Sequence, residues 1–514
     1  MFQVGTYVQD EIQVSNDFKV SLGLRFDAPI WSDGLVNDSF NTTTIGLLEA
    51  AGKDLQGARV GEGVSTTIHF SPRVGFNWNV NGEFNTQIRG GIGVFTSRVP
   101  LVWPGAVYNN NGMAIGAANE SNLPNGGVFI ADPYGQPVGA AVGSGQLGGD
   151  INLFSKDFKL PQVLKLNLAV DQKLPFWGLI ASADLLYNDN ISAVYYENLN
   201  LKDATQFQSG TGDTRPFYNR NSRIDPTYFG IYLGSNTSKG YSWNGSITLT
   251  KPYSNGFFAS ASYSYGDSYT TFEGTSSQNS SQWRNQLSVN GKNSDLPASR
   301  SRFAQGHRII ANASYDLKWN DNIKTTFGLF YQGINGNAFT YTYQEGKDVL
   351  NDDSSDNAVI YVPLNAADIR LKEGANGLTA AQQWDALNSF IESNDYLKSR
   401  RGKYAEINAD RAPWSHVVDL KVLQDFSIKF GKKTHTLQAS FDIFNFTNLI
   451  NKNWGVQKFA PNFGEIAILR TESNGVAPVY SFNPAVVEKM FTIDDSGIES
   501  SRWQMQIGLR YTFK

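Results

Sequence analysis

The stretch Phe18-Lys19-Val20-Ser21-Leu22-Gly23-Leu24-Arg25-Phe26 carries an apolar side chain at every even position and a small or charged one at every odd position. In an extended chain successive side chains point to opposite faces, so this pattern predicts a two-faced β-strand. The same alternation runs through Ile68, Phe70, Val74, Phe76, Trp78 and Val80, interleaved with His69, Ser71, Arg73, Gly75, Asn77 and Asn79. It recurs at Leu164/Leu166/Leu168/Val170, Phe257/Ala259/Ala261/Tyr263/Tyr265, Ile323/Thr325/Phe327/Leu329/Tyr331 and Leu437/Ala439/Phe441/Ile443. The terminal run Trp503/Met505/Ile507/Leu509/Tyr511/Phe513 repeats it once more. Alternation leaves the solvent of the apolar face open, because a soluble sandwich alternates as well.

Connection lengths decide between the two. Tight turns rich in Asn, Gly, Asp and Pro join strands in pairs: Ser15-Asn16-Asp17, Asn79-Val80-Asn81-Gly82-Glu83, Lys173-Leu174-Pro175-Phe176-Trp177-Gly178, Lys251-Pro252-Tyr253-Ser254-Asn255-Gly256, Trp319-Asn320-Asp321-Asn322 and Gly431-Lys432-Lys433. Between the pairs lie long polar stretches at roughly 28–63, 97–161, 189–237, 267–306, 335–413 and 447–499, far beyond ordinary loop lengths. Strict alternation of short turns and long loops is the pattern of an outer-membrane β-barrel, with periplasmic turns and extracellular loops. Trp78, Phe176, Trp177, Tyr253 and Trp319 lie beside the tight turns, where an interfacial aromatic belt would sit. No run of about 18 apolar residues occurs, so no helix is expected to cross a membrane.

Composition narrows the function. Of 514 residues, 43 are Lys or Arg and 47 Asp or Glu, a formal charge of −4 that argues against a basic nucleic-acid-binding surface. The absence of Cys removes disulfides, thiolate metal sites and Cys nucleophiles. The four histidines, His69, His307, His416 and His435, lie on separate strands or strand starts, without the spacing of a catalytic or zinc motif. The chain is therefore expected not to be an enzyme, and no cofactor or metal is expected.

The sequence accommodates about thirteen strands. With Phe513 closing the last strand on the periplasmic side, the strand at 2–13 runs inward from the outside, whereas a complete barrel of even strand number begins outward from the periplasm. The expectation is the C-terminal part of a larger barrel of about 22 strands, with two unpaired edges or a strained closure in the fragment. The opening residues Met1-Phe2-Gln3-Val4-Gly5-Thr6-Tyr7 show no signal peptide, so the natural N-terminus is expected further upstream. Residues 191–199 and 227–233 fit either extra wall strands or extensions of the wall into a loop.

Candidate functional positions follow from the two faces. Lys19, Arg25, Arg73, Arg89, Lys165 and Asp171 occupy polar positions and are expected to line the lumen. Ligand capture belongs on the loops. Trp103 and Tyr108 beside Asn109-Asn110-Asn111, and Phe339, Tyr341 and Tyr343 beside Gln344, suit a sugar or a peptide, and equally suit the inner packing of large loops. Asn351-Asp352-Asp353-Ser354-Ser355-Asp356-Asn357 lacks the spacing of a calcium loop and reads as a solvated acidic turn. One loop helix is predicted where Thr379 and Gln382 form a capping box ahead of Trp384, Leu387, Phe390 and Ile391.

Four stretches stand out: Tyr7-Val8-Gln9-Asp10-Glu11 with Leu22-Gly23-Leu24-Arg25-Phe26-Asp27, Ser71-Pro72-Arg73-Val74-Gly75-Phe76, Arg400-Arg401-Gly402-Lys403-Tyr404-Ala405-Glu406-Ile407-Asn408 with Ala412-Pro413-Trp414 and Asp419-Leu420-Lys421, and Phe441-Asp442-Ile443-Phe444-Asn445-Phe446-Thr447-Asn448. Together they resemble the TonB-dependent outer-membrane receptors, particularly the Oar-like group common in Bacteroidetes. Ile407 stands where the family often has Arg, and Lys514 follows the terminal aromatic. The resemblance implies that residues 1–514 are a partial receptor barrel in the outer membrane of a Gram-negative bacterium. Its partners would be outer-membrane lipid, its own N-terminal plug, TonB through that plug, and the barrel assembly machinery reading the strand Trp503, Met505, Ile507, Leu509, Tyr511 and Phe513. The family's regulatory-like domain, TonB box and plug are not recognisable in these residues. The function implied is movement of a bulky substrate across the outer membrane. A surface adhesin or a passive porin-like channel is the alternative.

Overall fold

The computed structural model describes residues 2–513 apart from 81, 83–84, 114–127, 136–148, 345–347, 353–357 and 494–500, and the side chains of 344 and 462–463. Thirteen strands form one continuous wall: β1 (Phe2–Gln13), β2 (Phe18–Ile30), β3 (His69–Val80), β4 (Thr86–Thr96), β5 (Gln162–Lys173), β6 (Ile180–Asn198) and β7 (Tyr241–Ser254). It continues through β8 (Phe257–Thr270), β9 (Gly306–Lys318), β10 (Ile323–Ile334), β11 (Ser415–Phe430), β12 (Lys433–Phe444) and β13 (Gln504–Phe513). Each strand pairs antiparallel with the next, as the thirteen-strand reading requires. Among the described residues β1 pairs only with β2 and β13 only with β12, so the wall has two open edges.

Register keeps one side of the wall apolar. Ile12, Val20, Phe76, Leu168 and Leu185 share one transverse row, and Leu329, Leu420, Ile443 and Met505 share another. The opposite side carries the polar set, which in a barrel lines the lumen.

The terminal run departs from its sequence reading at one residue: Trp503 stands one residue ahead of β13 and is not part of the strand. Ile507 and Leu509 are 78% and 76% exposed, more than Met505, Tyr511 or Phe513, in line with an open edge at the last strand. The cause is the open edge. Ile507 has a cross-strand neighbour only in Phe441, and Leu509 only in the small Ala439, with no strand on the other side to cover them.

The tight turns obey local backbone chemistry. Asn255 and Gly256 take φ values of +50° and +80°, the two left-handed central positions of a type I′ hairpin joining Ser254 to Phe257. A Cβ on Gly256 would stand 2.7 Å from the Asp316 carbonyl oxygen, so glycine is needed there for space as well as for φ. Trp78, Phe176, Trp177, Tyr253 and Trp319 are all exposed beside these turns, as the belt reading expects.

The long connections fold into a crown at the other end. β6 runs on past the wall, and its upper residues Ala193 to Asn198 pair with Gly230–Thr237, which in turn pairs parallel with Asp150–Phe154. The segments at 191–199 and 227–233 are thus extensions into the crown, and add no strand to the wall. A second crown sheet orders Asp410–Arg411, Ala338–Gln344, Glu465–Ser473 and Val479–Phe482. The expected helix forms over Ala380–Ser393 with a complete capping box: Thr379 accepts from the Gln382 backbone N–H while the Gln382 side chain accepts from that of Thr379. Leu387 and Ile391 are buried, with Trp384 and Phe390 packed against the same core. Thr379→Ala removes one reciprocal cap and should cost about 1 kcal/mol of local helix stability. Amide exchange across Ala380–Ser393 is the check, and unchanged protection would contradict it.

Candidate ligand-binding crown

All six expected lumen residues lie on the polar side. Arg73 pairs with Gly93 and Gly93 with Lys165, and both cations rest against the ring of Phe95, at 4.4 and 5.3 Å. Arg89 joins Asp171 and lies 3.1 Å from Asp184, Arg25 grips Asp27 at 2.7 Å, and Lys19 meets Glu11. Arg25 and Asp27 share one strand, while the pairs of Lys19 and Arg89 brace different strands across the lumen face. Along the chain the same bracing continues, with Lys324 between Asp316 and Asp425 and with Lys421 on Asp442.

The five loop aromatics divide differently. Trp103, Phe339, Tyr341 and Tyr343 are only 6, 1, 1 and 2% exposed and belong to the crown's hydrophobic core. Their faces are taken by neighbours: Trp103 meets Tyr196, Phe339 meets Tyr341, and Tyr343 stacks on Tyr480 at 5.1 Å. These rings offer no free face to a ligand, because loops of this size need apolar anchors of their own. Tyr108 is half-buried, and its hydroxyl donates to the Ser32 carbonyl at 2.7 Å. The acidic turn also departs from expectation. Asp352 is buried and accepts from both the backbone N–H and the ammonium of Lys292, while residues 353–357 lie outside the described residues.

Sequence reading missed the charged centre of the crown. Arg215 is fully buried between the rings of Tyr343 and Tyr404, at 5.3 and 4.9 Å, with its Nε 2.9 Å from Asp213. Its Nη2 donates to the Val359 carbonyl at 2.9 Å, and the Tyr404 hydroxyl donates to Asp213 at 2.9 Å. Burial pushes the Tyr404 hydroxyl up, and the Asp213 charge adds to this. No local motif announces the cluster, since Tyr343 and Tyr404 reach Arg215 from far along the chain.

The two roomiest cavities described in the crown differ in character. One, of about 530 Å³, lies between the connection after β8 and the segment before β11. Phe272, Leu287, Val289 and Ile407 supply its apolar lining, with Arg300, Arg302, Arg400, Glu273 and Glu406 around it. Arg300 is held by Asp267 and the Ala409 carbonyl, and Glu273 by Ser301 and the Arg302 backbone N–H. The buried Thr271 hydroxyl, also in the lining, has no hydrogen-bond partner among the described residues. The second cavity, about 610 Å³, is polar, with Asn198, Asn200, Arg220 and Arg223 beside Tyr232 and Trp283. Both volumes suit small-molecule or oligomeric ligands with polar edges.

Burial pushes the Glu465 carboxyl in the second crown sheet up to about 7, with Arg302 pulling it back. The folded crown therefore holds a proton that the unfolded chain releases near pH 4.5. The contribution of this proton to crown stability is complete below that pH and is lost as pH rises through about 7. Exchange-derived opening free energies for Glu465–Ser473 should be lower at about pH 8 than at about pH 5.5, and Glu465→Gln should abolish the difference.

The histidines serve the wall. His69 faces the polar side, accepting from the Leu160 backbone N–H at 2.9 Å and donating to the Thr67 carbonyl at 3.0 Å. His307, His416 and His435 share the apolar side and pair with the hydroxyls of Tyr263, Tyr331 and Tyr511.

Comparison with known proteins matches residues 1–475 to a family described as outer membrane beta barrel domain. No curated protein matches. Among solved structures, a mutant ferric enterobactin receptor (PfeA) of Pseudomonas aeruginosa is similar at 12% identity over 99% of this chain and 44% of that one, with a TM-score of 0.39. The siderophore receptor PiuA of Acinetobacter baumannii shares 11% identity over 100% and 43%, TM-score 0.37. The ferric-catecholate import receptor Fiu of E. coli K12 shares 10% over 90% and 41%, TM-score 0.33. The chain spans less than half the length of these structures. With strands long enough to cross hydrocarbon, one apolar side, and a match covering most of its length, the chain belongs to the outer membrane beta barrel domain family and resides in the outer membrane of a Gram-negative bacterium.

Proposed function

We propose that this chain is the barrel region of an Oar-like TonB-dependent receptor that moves a bulky substrate across the outer membrane. The observation that carries the reading is the pair of open edges. Among the described residues the outer edges of β1 and β13 have no partner strand, and in hydrocarbon each unsatisfied backbone group costs several kcal/mol. On this reading further strands complete the wall, and the barrel is wide enough to take an internal plug. The charged lumen face, including Arg89 and Lys165, is suited to hold such a plug, and the crown cavities to capture substrate from outside. The receptor motifs at Ser71–Phe76 and Arg400–Asn408 support the same family. We assign the chain no catalytic step.

The test uses outer membranes of the native cell, probed with an antibody against Gln504–Phe513. The expected result is a species clearly heavier than 56.7 kDa that cross-links to TonB. A band at 56.7 kDa without a TonB cross-link would overturn the proposal and leave a passive channel or an adhesin.

A further inference from the structure

The crown cavity between the connection after β8 and the segment before β11 has walls from three segments, each tied down. The first leaves β8 where Tyr269 and Thr270 pair with Arg300 and Ser299. The second follows the helix Asn279–Arg284, which the buried Trp283 anchors, and supplies Leu287 and Val289. In the third, the Ala405 backbone N–H donates to the Ile360 carbonyl at 2.8 Å and that of Asn408 to the Thr340 hydroxyl at 2.8 Å. The Asn408 side-chain amide donates to the Arg300 carbonyl at 2.7 Å, tying the third segment to the first. A cavity held in this way is formed before its ligand arrives, so binding does not have to order the loops.

The lining disfavours three classes of occupant. Arg300, Arg302 and Arg400 are matched in number by Glu273, Asp295 and Glu406, so the cavity presents no excess charge to an anion or a cation. Its two rings are already engaged: Phe272 packs on Tyr195 and Tyr196, at 6.3 and 5.5 Å, and Tyr404 meets Arg215 and Tyr361, at 4.9 and 5.5 Å. A sugar that would pack its C–H edges on ring faces gains little there. A hydrocarbon chain fails at Thr271. That residue is only 7% exposed, and its hydroxyl lines the cavity with no hydrogen-bond partner among the described residues, a bond that hydrocarbon cannot supply.

We infer that this cavity binds a short, electrically balanced peptide with aliphatic side chains, one of whose backbone carbonyls accepts from the Thr271 hydroxyl. The lining offers what such a ligand needs. Leu287, Leu296 and Ile407 form an aliphatic wall for its side chains, and the exposed Asn285 and Asn290 stand in the same lining, where an amide can both donate to and accept from a peptide backbone. A peptide carbonyl also answers the one buried hydroxyl that the crown leaves unpaired in this lining. The inference rests on the reading of the crown as a capture surface, and names the class captured.

The experiment is calorimetric titration of the full-length protein in mild detergent, without TonB, using the tetrapeptide alanyl-leucyl-valyl-alanine with free termini as the probe. Wild type should bind it more tightly than maltotetraose or citrate by about tenfold or more. Thr271→Val keeps the shape and removes the hydroxyl, and should weaken the peptide about fivefold while crown amide protection is retained. Ile407→Arg puts a cation into the aliphatic wall and should weaken it by about tenfold or more. Heat-modifiable mobility confirms that each variant is folded. Undetectable peptide binding, or a preference for maltotetraose or citrate, would overturn the class of ligand. Unchanged affinity in both variants would overturn the cavity as the site, and loss in Ile407→Arg alone would overturn the bond to Thr271. Peptide binding by a protein that does not cross-link to TonB would refute the receptor reading alone, whereas a TonB cross-link without peptide binding would refute only this inference.

Discussion

Arg215→Met should destabilise the crown by about 3–5 kcal/mol, the cost of leaving a buried charge without its partner. Asp213 is itself buried, and losing the guanidinium leaves its carboxylate with only the Tyr343 and Tyr404 hydroxyls and the residue 215 backbone N–H. The Val359 carbonyl loses its donor, and both rings lose a cation against their faces. Because Asp213 and Arg215, Tyr343, Val359 and Tyr404 come from different loop segments, the loss should free several segments together. Limited proteolysis and amide exchange of full-length protein should show earlier cleavage and weaker protection across 205–217, 338–344 and 358–364. The wall should be unaffected. Replacing both partners, Asp213→Leu with Arg215→Met, should recover most of the stability, since removing the charges together removes the desolvation penalty. If Arg215→Met leaves crown protection unchanged, the cluster does not clamp the loops.

How legible each part was follows from the range of the interactions that set it. The wall strands are written locally. In β2 the even positions are apolar, and the register places Val20, Leu22 and Leu24 opposite Phe76, Val74 and Pro72 on one side. Asp10 is an exception, lying on the apolar side across from Leu22, three residues from where β1 ends at Gln13. In β13 the alternation gave the face of Ile507 and Leu509 correctly, but their exposure depends on which strand lies beyond them, and that is not written in the strand itself. The helix Ala380–Ser393 was legible because Thr379 and Gln382 are neighbours on one turn. The crown aromatics were not. A Tyr or Phe in a Gly- and Asn-rich loop reads the same whether it meets ligand or core, and only closure of distant segments buries Tyr341 against Tyr396 and Phe390. The stretch at 400–408 illustrates this. Arg400 donates to the Tyr404 carbonyl, Arg401 binds Glu392 and Asn388, and Gly402 takes φ +72°, so its role in the crown is to brace loops. The cavity flanked by Arg300, Arg400 and Glu406 arises as a by-product of that bracing and has no linear signature.

The assignment of faces is open to a direct test with a large expected effect. Leu329 lies near the middle of β10, paired with Ala313 and Leu420 on the apolar side and 44% exposed there. Asn312, on the neighbouring strand β9, lies on the opposite side, paired with Ser260 and Phe330, and is exposed there. A one-residue register slip would exchange the two sides entirely. If the apolar side meets hydrocarbon, Leu329→Arg places a guanidinium near the bilayer midplane and should cost about 2–4 kcal/mol. Asn312→Arg adds the same charge to a hydrated lumen and should cost less than about 0.5 kcal/mol, in the range of ordinary surface changes. The comparison is made on full-length protein folded into phospholipid vesicles, by urea titration with heat-modifiable mobility as the readout. Matched costs for both variants would mean that the two sides see the same solvent, and would contradict a wall that spans the membrane. A larger cost at Asn312 would reverse the faces and put the side that carries Leu329 and Leu420 in the lumen.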